Sequence, residues 1–158
     1  MRIIGITDYM GEEKYLVKFK KVIKEDEFDA ILFSGGITKG EAGLKEYTDA
    51  KIYDREPRRD DPSIQDEIES KKKIIKNFFN FFESVDIPFL TIPGRTDSPL
   101  SIFEKILDDV KKKNQNIHNL HFKFKTIKDI IFSGCGGLIN EENESYFQNL
   151  VSFEKVKE

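Results

Sequence analysis

Apolar positions in this chain follow two patterns, short runs typical of buried strands and longer stripes typical of amphipathic helices. The short runs are Ile3–Thr7, Asp29–Phe33 and Pro88–Ile92. The stretches between and after them carry apolar residues at helical spacing, which predicts helices with one buried face. The order strand, helix, strand, helix, strand, helix, strand predicts an α/β fold of right-handed βαβ units on a mostly parallel sheet.

Four regions are predicted to be helical. Apolar stripes run from Tyr15 to Ile23, from Ile64 to Phe82 in a helix that ends near Glu83, and from Leu100 to Val110. A further helix is expected from about Lys39 to Ala50. The polar, proline-containing segment Tyr53–Pro62 is expected to be an exposed loop.

Two helix starts carry a local signal. Asp61 is suited to cap the helix that follows, with Pro62 at its first position. Ser98 and Pro99 repeat this pattern before the next helix. The C-terminal region is less regular. Alternation over Ile117–Phe124 predicts a strand, Lys128–Ser133 is its hairpin neighbour or the next strand, and helical character is weak around Tyr146–Val151.

A glycine-containing loop directly follows each of four apolar runs, the fourth being Ile130–Phe132. If all four runs are parallel strands, their loops meet at one edge of the sheet, where open α/β folds bind ligands. We therefore expect Asp8, Gly36, Arg95 and Gly136 to line one pocket. The loops are Thr7–Gly11, Ser34–Ile37, Pro93–Pro99 and Ser133–Gly137.

Length and charge set the broad class. The 158 residues are expected to form a single domain over positions 1–158. The net charge of −3 gives no reason to expect nucleic acid or membrane as a partner. The longest basic blocks, Lys71–Lys73 and Lys111–Lys113, lie on predicted helices and are interpreted as solvated helix faces.

Cellular location is predicted from three features. One cysteine excludes an internal disulfide, which favours a reducing compartment. The N-terminus enters a strand at once, so no signal peptide is expected. No apolar run approaches the roughly 20 residues that span a bilayer. A cytoplasmic location is therefore expected.

The loop motifs together resemble those of the calcineurin-like metallophosphoesterases, in a degenerate prokaryotic branch. The resemblance covers about Arg2 to Asn140 and matches only the N-terminal part of such a protein. It implies a metallophosphoesterase-like sandwich, apparently truncated before its second half. The motifs, in order, are Asp8-x-x-Gly11, Asp29-x-x-x-x-x-Gly35-Gly36-Ile37, Ile92-Pro93-Gly94-x-x-Asp97-x-Pro99 and Gly134-x-Gly136-Gly137.

The family's chemistry uses two metal ions that activate water and neutralise a phosphate ester. The first family loop reads Asp-x-His, and here Asp8 is retained while Met10 replaces the histidine. The second reads Gly-Asp, and Gly36 replaces the bridging aspartate. By this resemblance Asp8 is the single surviving metal ligand.

The third family loop reads Gly-Asn-His followed by an acidic residue. Gly94 and Asp97 fit, Arg95 replaces the asparagine ligand, and Thr96 replaces the histidine. The chain lacks the family's later Gly-His-x-His motif. No metal cofactor is therefore expected from this chain alone, and a divalent ion (Mn, Fe, Mg or Zn) is expected only if the site is completed elsewhere.

Arg95 suggests a substitute for the metals, because a guanidinium binds phosphate through two hydrogen bonds and keeps its charge. Lys39 and Thr96 are further candidates, and glycine amides of the loops are expected to complete an anion pocket. The alternative is that Arg95 is a structural partner of Asp8 or Asp97 in an inactive site. The glycines in question are Gly35, Gly36, Gly94, Gly136 and Gly137.

Other reactive side chains carry weaker predictions. His118 and His121 are three residues apart on a predicted strand, which places them on opposite faces and disfavours a shared metal. Cys135 has no nameable base partner, so we interpret it as a small buried residue rather than a nucleophile.

Three functional hypotheses remain at this stage. The first is a phosphoesterase-like protein without metal-dependent hydrolysis that binds a phosphorylated small molecule. The second is a phosphohydrolase whose remaining ligands come from a missing C-terminal half or a partner chain. The third is an interaction protein, either a homo-oligomer or the binder of a C-terminal partner, that uses the apolar sheet face left uncovered by truncation.

Overall fold

The computed structural model of this chain describes residues 1–139 and 149–151. Helices connect the first four strands, as the periodicity predicts, with two successive helices between the second and the third strand. The elements are β1 (Ile3–Ile6), α1 (Glu13–Glu25), β2 (Ala30–Phe33), α2 (Glu41–Ile52), α3 (Pro62–Phe82), β3 (Phe89–Thr91), α4 (Leu100–Lys111), β4 (Ile117–Asn119), β5 (Lys123–Ile127), β6 (Ile130–Gly134), β7 (Leu138–Ile139) and β8 (Leu150–Val151).

Strands β1 to β4 form a parallel sheet in the order β1-β2-β3-β4. Because each connection between successive strands is a helical crossover, the carboxyl ends of all four strands lie along one edge of the sheet. The predicted α/β fold with a mostly parallel sheet is confirmed. Among residues 1–139 and 149–151, no helix combines the length and apolarity needed to cross a bilayer.

Helices α1, α3 and α4 cover one face of the sheet with a core rich in phenylalanine. The rings of Phe82 of α3 and Phe89 of β3 pack in a tilted pair with centroids 4.0 Å apart, and the Phe78 ring centroid lies 4.7 Å from that of Phe33 of β2. These rings are fully buried. Helix α2 packs on α3 through a smaller cluster that includes Ile64 and Ile68.

The opposite face of the sheet is covered in part by an antiparallel hairpin of β5 and β6. Ile127 and Phe132 of the hairpin pack on Leu90 of the sheet. The hairpin thus covers part of the face that was expected to be uncovered, and it carries exposed apolar side chains on its own outer side. There Phe124 is 75% exposed and Ile131 is 70% exposed. A partner or second copy on this surface stays a prediction.

The predicted strand Ile117–Phe124 is wrong as one element. Strand β4 belongs to the parallel sheet, and the Leu120 amide still donates to the Thr91 carbonyl at 2.8 Å. The chain then turns at Phe122, which has φ +51°, and the Lys123 amide bonds back to the Leu120 carbonyl at 2.9 Å. Strand β6 is therefore the hairpin neighbour of β5 and not a parallel strand of the main sheet.

Of the two predicted helix caps, one is confirmed. Asp61 caps α3 by accepting a hydrogen bond from the Ser63 amide at 2.9 Å, with Pro62 at the first position. The start at Ser98 is wrong, because Pro99 itself is the N-cap of α4 and no side chain caps that helix. The predicted helical character at Tyr146–Val151 is wrong for Leu150 and Val151, which form strand β8, and otherwise falls outside the described residues.

Candidate functional site

The four loops meet at the carboxyl edge of the sheet and enclose a pocket of about 300 Å³. Asp8, Gly36, Arg95 and Gly136 all line this pocket, as expected. The first three follow strands of the parallel sheet, whereas Gly136 follows β6 of the antiparallel hairpin, so the predicted reason is wrong for the fourth loop. The role of these residues in binding a ligand stays a prediction. The lining residues are Asp8, Met10, Ser34, Gly35, Gly36, Ile92, Pro93, Gly94, Arg95, Thr96, Cys135, Gly136 and Gly137.

The first loop is held by backbone pairing with the second. The Asp8 amide donates to the Gly35 carbonyl at 3.1 Å, and the Met10 amide donates to the Gly36 carbonyl at 2.9 Å. Asp8 and Met10 both lie in the left-handed region, with φ +55° and +52°. Residues other than glycine seldom adopt this backbone conformation, and those that do tend to cluster at functional sites.

Tyr9 anchors the first loop to the core between these two residues. Its ring is buried and lies 5.0 Å from that of Phe78. Burial raises the pKa of the Tyr9 phenol, and the nearby Glu13 and Glu12 raise it further. A neutral aromatic anchor between Asp8 and Met10 directs these neighbours outward to the pocket wall.

The second and third loops touch backbone to backbone. A Cβ on Gly94 would lie 2.2 Å from the Gly36 amide nitrogen, so only glycine fits there. Gly36 has φ +83°, and a Cβ on it would lie 2.7 Å from Asp8 Oδ1. At the position where the resemblance implies a bridging aspartate, a side chain would therefore require a strained backbone and a shift of Asp8.

Asp97 locks these two loops together from behind the pocket. Its side chain is buried, and Oδ2 accepts hydrogen bonds from the amides of Gly94 at 2.8 Å and Gly36 at 3.1 Å. Oδ1 accepts from the Thr38 amide at 2.8 Å and from the Thr38 hydroxyl at 3.2 Å. Asp97 therefore lies behind the wall and not on it, unlike the other third-loop candidates.

Thr96 and Thr38 join the same loops by reciprocal hydrogen bonds. The Thr96 hydroxyl donates to the Thr38 carbonyl at 2.6 Å, and the Thr38 hydroxyl donates to the Thr96 carbonyl at 2.7 Å. Thr96 still contributes to the pocket wall. Its hydroxyl proton is committed to Thr38, which leaves it a structural role.

Two residues that sequence reasoning did not assign to the site support its loops, His121 the fourth loop and Asn149 the third. His121 is buried, and its Nδ1 accepts from the Gly136 amide at 3.0 Å. Asn149 donates from its side chain to the Gly94 carbonyl at 2.7 Å and from its backbone to the Arg95 carbonyl at 2.9 Å. Neither contact has a local signal, because each joins segments far apart in the chain.

These contacts correct the expected anion pocket. The amides of Gly36 and Gly94 donate to Asp97, that of Gly136 to His121, and that of Gly137 to the Pro93 carbonyl. Four of the five expected glycine donors are thus used inside the protein. Lys39 is not on the wall either, because its ammonium lies 3.6 Å from Glu12 Oε1 at the protein surface.

Arg95 and Asp8 are the charged residues on the pocket wall within the described part of the chain. Both are exposed. The Asp8 carboxylate accepts a hydrogen bond from the Thr7 hydroxyl at 2.9 Å. The wall therefore presents one permanent cation and one carboxylate.

The described residues do not by themselves supply the ligands of a dinuclear metal centre. Two ions held close together need several oxygen or nitrogen ligands. Asp8 is the one carboxylate on the described wall, Asp97 is turned inward, and His121 Nδ1 is taken by Gly136. Across residues 1–139 and 149–151, no three His, Cys, Asp or Glu side chains are grouped to hold a metal ion.

Two solved structures are similar to this fold. A solved crystal structure superimposes with a TM-score of 0.89 at 27% sequence identity, over 98% of this chain. The crystal structure of TT1561 of Thermus thermophilus superimposes with a TM-score of 0.72 at 19% identity, also over 98% of this chain, and that likeness shows the fold alone. This chain spans 60% of the length of each.

At the level of sequence, no curated protein matches the chain. A family model described as metallophosphoesterase, calcineurin superfamily, matches residues 1–155. That match covers the parallel sheet, all four helices and all four loops of the pocket. The chain therefore belongs to the calcineurin superfamily of metallophosphoesterases.

Proposed function

We propose that this chain binds a small phosphorylated molecule in the loop pocket and does not hydrolyse it through a dinuclear metal centre built from its own described residues. The observation that carries the proposal is that Arg95 lies on the pocket wall, at the position where the family resemblance implies a metal-ligating asparagine. A guanidinium supplies the positive charge that metal ions supply elsewhere in the family, and it cannot lose that charge at working pH.

The two charged wall residues suggest the kind of ligand. Arg95 suits the phosphate group, because a guanidinium donates two parallel hydrogen bonds to its oxygens. Asp8 repels an anion but accepts hydrogen bonds from hydroxyl groups. A phosphate monoester of a hydroxylated small molecule satisfies both residues, with the phosphate on Arg95 and a hydroxyl on Asp8.

A second candidate is an active phosphohydrolase whose site is completed outside these residues. One observation favours it, since the chain spans 60% of the length of each solved structure to which it is similar. Further metal ligands from another segment or chain would add to Asp8. The two candidates differ in whether metal ions bind and whether an ester is cleaved.

Calorimetric titration with inorganic phosphate and with glycerol 3-phosphate tests the first candidate. We expect Arg95→Ala to weaken binding by roughly 1.5–3 kcal/mol, the range for hydrogen bonds to charged groups. Arg95→Lys should recover part of the loss, because it keeps the charge but not the paired donors. Arg2→Ala is the matched control, since Arg2 is exposed and precedes β1, at the opposite edge of the sheet.

Two outcomes would contradict the proposal. Absence of phosphate binding at millimolar concentration would end the ligand hypothesis. Unchanged phosphate affinity together with a lower melting temperature in Arg95→Ala would make Arg95 a structural residue.

Metal loading separates the two candidates. We expect elemental analysis after dialysis against Mn²⁺ to find fewer than two equivalents bound, because the wall has too few ligands. We expect no hydrolysis of para-nitrophenyl phosphate under the same conditions. Two tightly bound equivalents with ester cleavage would favour the phosphohydrolase.

A further inference from the structure

A groove between helices α3 and α4 combines an apolar floor with a basic rim. Its volume is about 610 Å³, and none of its lining residues belongs to the loop pocket. Ile102, Ile106 and Val110 of α4 supply the floor. The rim carries the asparagine Asn80, one acidic residue, Asp109, and five lysines, Lys72, Lys73, Lys76, Lys105 and Lys113.

The floor is a narrow apolar strip along one helix. Ile102, Ile106 and Val110 are four residues apart, so they lie on one face of α4 and extend over about 12 Å at 1.5 Å per residue. Ile102 and Ile106 are half-buried and Val110 is buried. The strip is therefore about two helical turns long, which matches the apolar face of a short helix.

Three of the rim lysines come from the two basic triplets of the sequence, Lys71–Lys73 and Lys111–Lys113, which were expected to be solvated helix faces. Lys72 pairs with Glu69, and Lys113 pairs with Glu83 at 2.7 Å. Among the described residues, Lys73, Lys76 and Lys105 form no ion pair. Three cations therefore border the apolar strip without an ion-pair partner among the described residues.

Asp109 offsets these charges only in part. Its carboxylate accepts a hydrogen bond from Lys112 at 2.7 Å, and this contact is the main cause of its lowered pKa. The charges of Lys105 and Lys76 lower that pKa further. The rim is thus strongly positive on a chain whose net charge is −3.

We propose that this groove binds an acidic amphipathic helix of a partner protein. Helix-in-groove recognition places an apolar stripe on an apolar floor, and flanking charges set the partner and its orientation. Glutamates beside that stripe would meet the lysine rim. A single-stranded nucleic acid fits less well, because its sites add stacking aromatics and arginines, which this groove does not have. A membrane surface fits less well because the apolar strip lies at the bottom of a concave groove.

The probe for this proposal is a fluorescein-labelled model helix of about 18 residues, long enough to be helical, with one leucine stripe flanked by glutamates. We expect saturable binding to the full chain by fluorescence anisotropy, and we expect it to weaken as salt is added. A triple variant, Lys73→Glu with Lys76→Glu and Lys105→Glu, should weaken binding roughly tenfold or more, because three attractions become repulsions.

The matched control is a second triple variant on α1, Lys18→Glu with Lys20→Glu and Lys24→Glu. These lysines are exposed, and the change in net charge is the same. We expect binding within about twofold of the parent chain, since only long-range charge changes. Equal weakening by both triple variants would overturn the proposal, because it would show a non-specific charge effect. Circular dichroism checks that both variants fold.

Altered peptides test the floor without altering the protein. A peptide with its leucines changed to serine keeps the charge, and a peptide with its glutamates changed to lysine keeps the stripe. We expect neither to bind appreciably. Undiminished binding of the serine peptide would overturn the helix-in-groove proposal. Tighter binding of a poly-U RNA or of phosphatidylserine vesicles, lost in the groove variant alone, would overturn it in favour of a nucleic acid or a membrane.

Discussion

Two layers of the same loops use their acidic side chains in opposite ways. In the buried layer, the Asp97 carboxylate accepts hydrogen bonds from the three backbone amides of Gly36, Thr38 and Gly94. On the pocket wall, Asp8 is exposed and, within the described residues, its carboxylate accepts a hydrogen bond only from Thr7. The buried layer therefore fixes the shape of the pocket, and the wall presents groups that a ligand can reach.

The comparison shows that position in a motif does not determine the role of a residue. Arg95 and Asp97 are two residues apart in one loop, yet Arg95 lies on the wall and Asp97 lies behind it. Both are candidates by sequence, and burial separates them. Variants of the two layers should therefore differ most in stability, which gives the predictions below.

The largest effect is expected for Asp97→Ala. The change leaves the buried amides of Gly36, Gly94 and Thr38 without an acceptor, which should lower the free energy of unfolding by roughly 3–5 kcal/mol. Urea unfolding measures this loss. Asp97→Asn should cost less, because one oxygen remains to accept.

The matched comparison for this prediction is Asp8→Asn against Asp97→Asn. Both changes remove one carboxylate and keep the size of the side chain. We expect the Asp8 variant to stay within about 0.5 kcal/mol of the parent chain, as for other exposed positions. Similar losses in the two variants would contradict the division into a buried layer and a wall.

The next effect is expected at Gly36, where the two layers touch. Gly36→Ala places a methyl group 2.7 Å from Asp8 Oδ1 in a residue with φ +83°, and it should cost roughly 1–3 kcal/mol. Gly5→Ala is the control, because a methyl group on Gly5 would have no other atom within 4 Å and the φ of Gly5 lies outside the left-handed range. Thermal unfolding of both variants measures the difference.

Gly36→Asp extends this prediction to the residue that the family resemblance implies. We expect it to destabilise the chain at least as much as Gly36→Ala, and to bring no gain in Mn²⁺ binding. A stable Gly36→Asp variant that binds the metal would show that the second loop relaxes to accept a ligand.

The parts of the fold that could be predicted are those with local causes. Asp61 and Pro62 form a helix start because the cap and the proline act within one turn. The strand Ile117–Phe124 could not be divided by pattern, because the alternation continues through the turn at Phe122, where no glycine or asparagine marks the positive φ. The end of β4 is set by its pairing with β3, which stops at the hydrogen bond from the Leu120 amide to the Thr91 carbonyl.

The location of the site could be predicted from the sequence, but the hydrogen-bond partners of its residues could not. Strand order alone brings Asp8 and Arg95 to one edge. The hydrogen bonds from the Gly36 amide to Asp97 and from the Gly136 amide to His121 could not be predicted, because both join distant segments of the chain. The sequence therefore predicts an anion pocket built from glycine amides, whereas in the structure Arg95 is the cation on the described wall and most of those amides have acceptors within the protein.

A smaller effect is expected at His121, which supports the fourth loop. His121→Ala removes the acceptor of the Gly136 amide and should cost roughly 1–2 kcal/mol. Hydrogen exchange at Gly136 should accelerate, as measured by NMR. His118→Ala is the control, because His118 lies on β4 and makes no contact with that amide. Equal acceleration in both variants would show that the hairpin, and not His121, protects the loop.

The smallest effect is expected for the replacement of Asp8 by glycine. Asp8 has φ +55°, so Asp8→Gly should leave stability within about 0.5 kcal/mol or raise it, because glycine adopts this backbone without strain. Asp8→Val should cost roughly 1–2 kcal/mol, since a branched side chain resists the left-handed region. Urea unfolding of the two variants, with phosphate titration alongside, separates backbone strain from the carboxylate. A large loss in Asp8→Gly would mean that the carboxylate holds the loop in place, and Asp8 would then belong to the buried layer's structural role and not to the ligand wall.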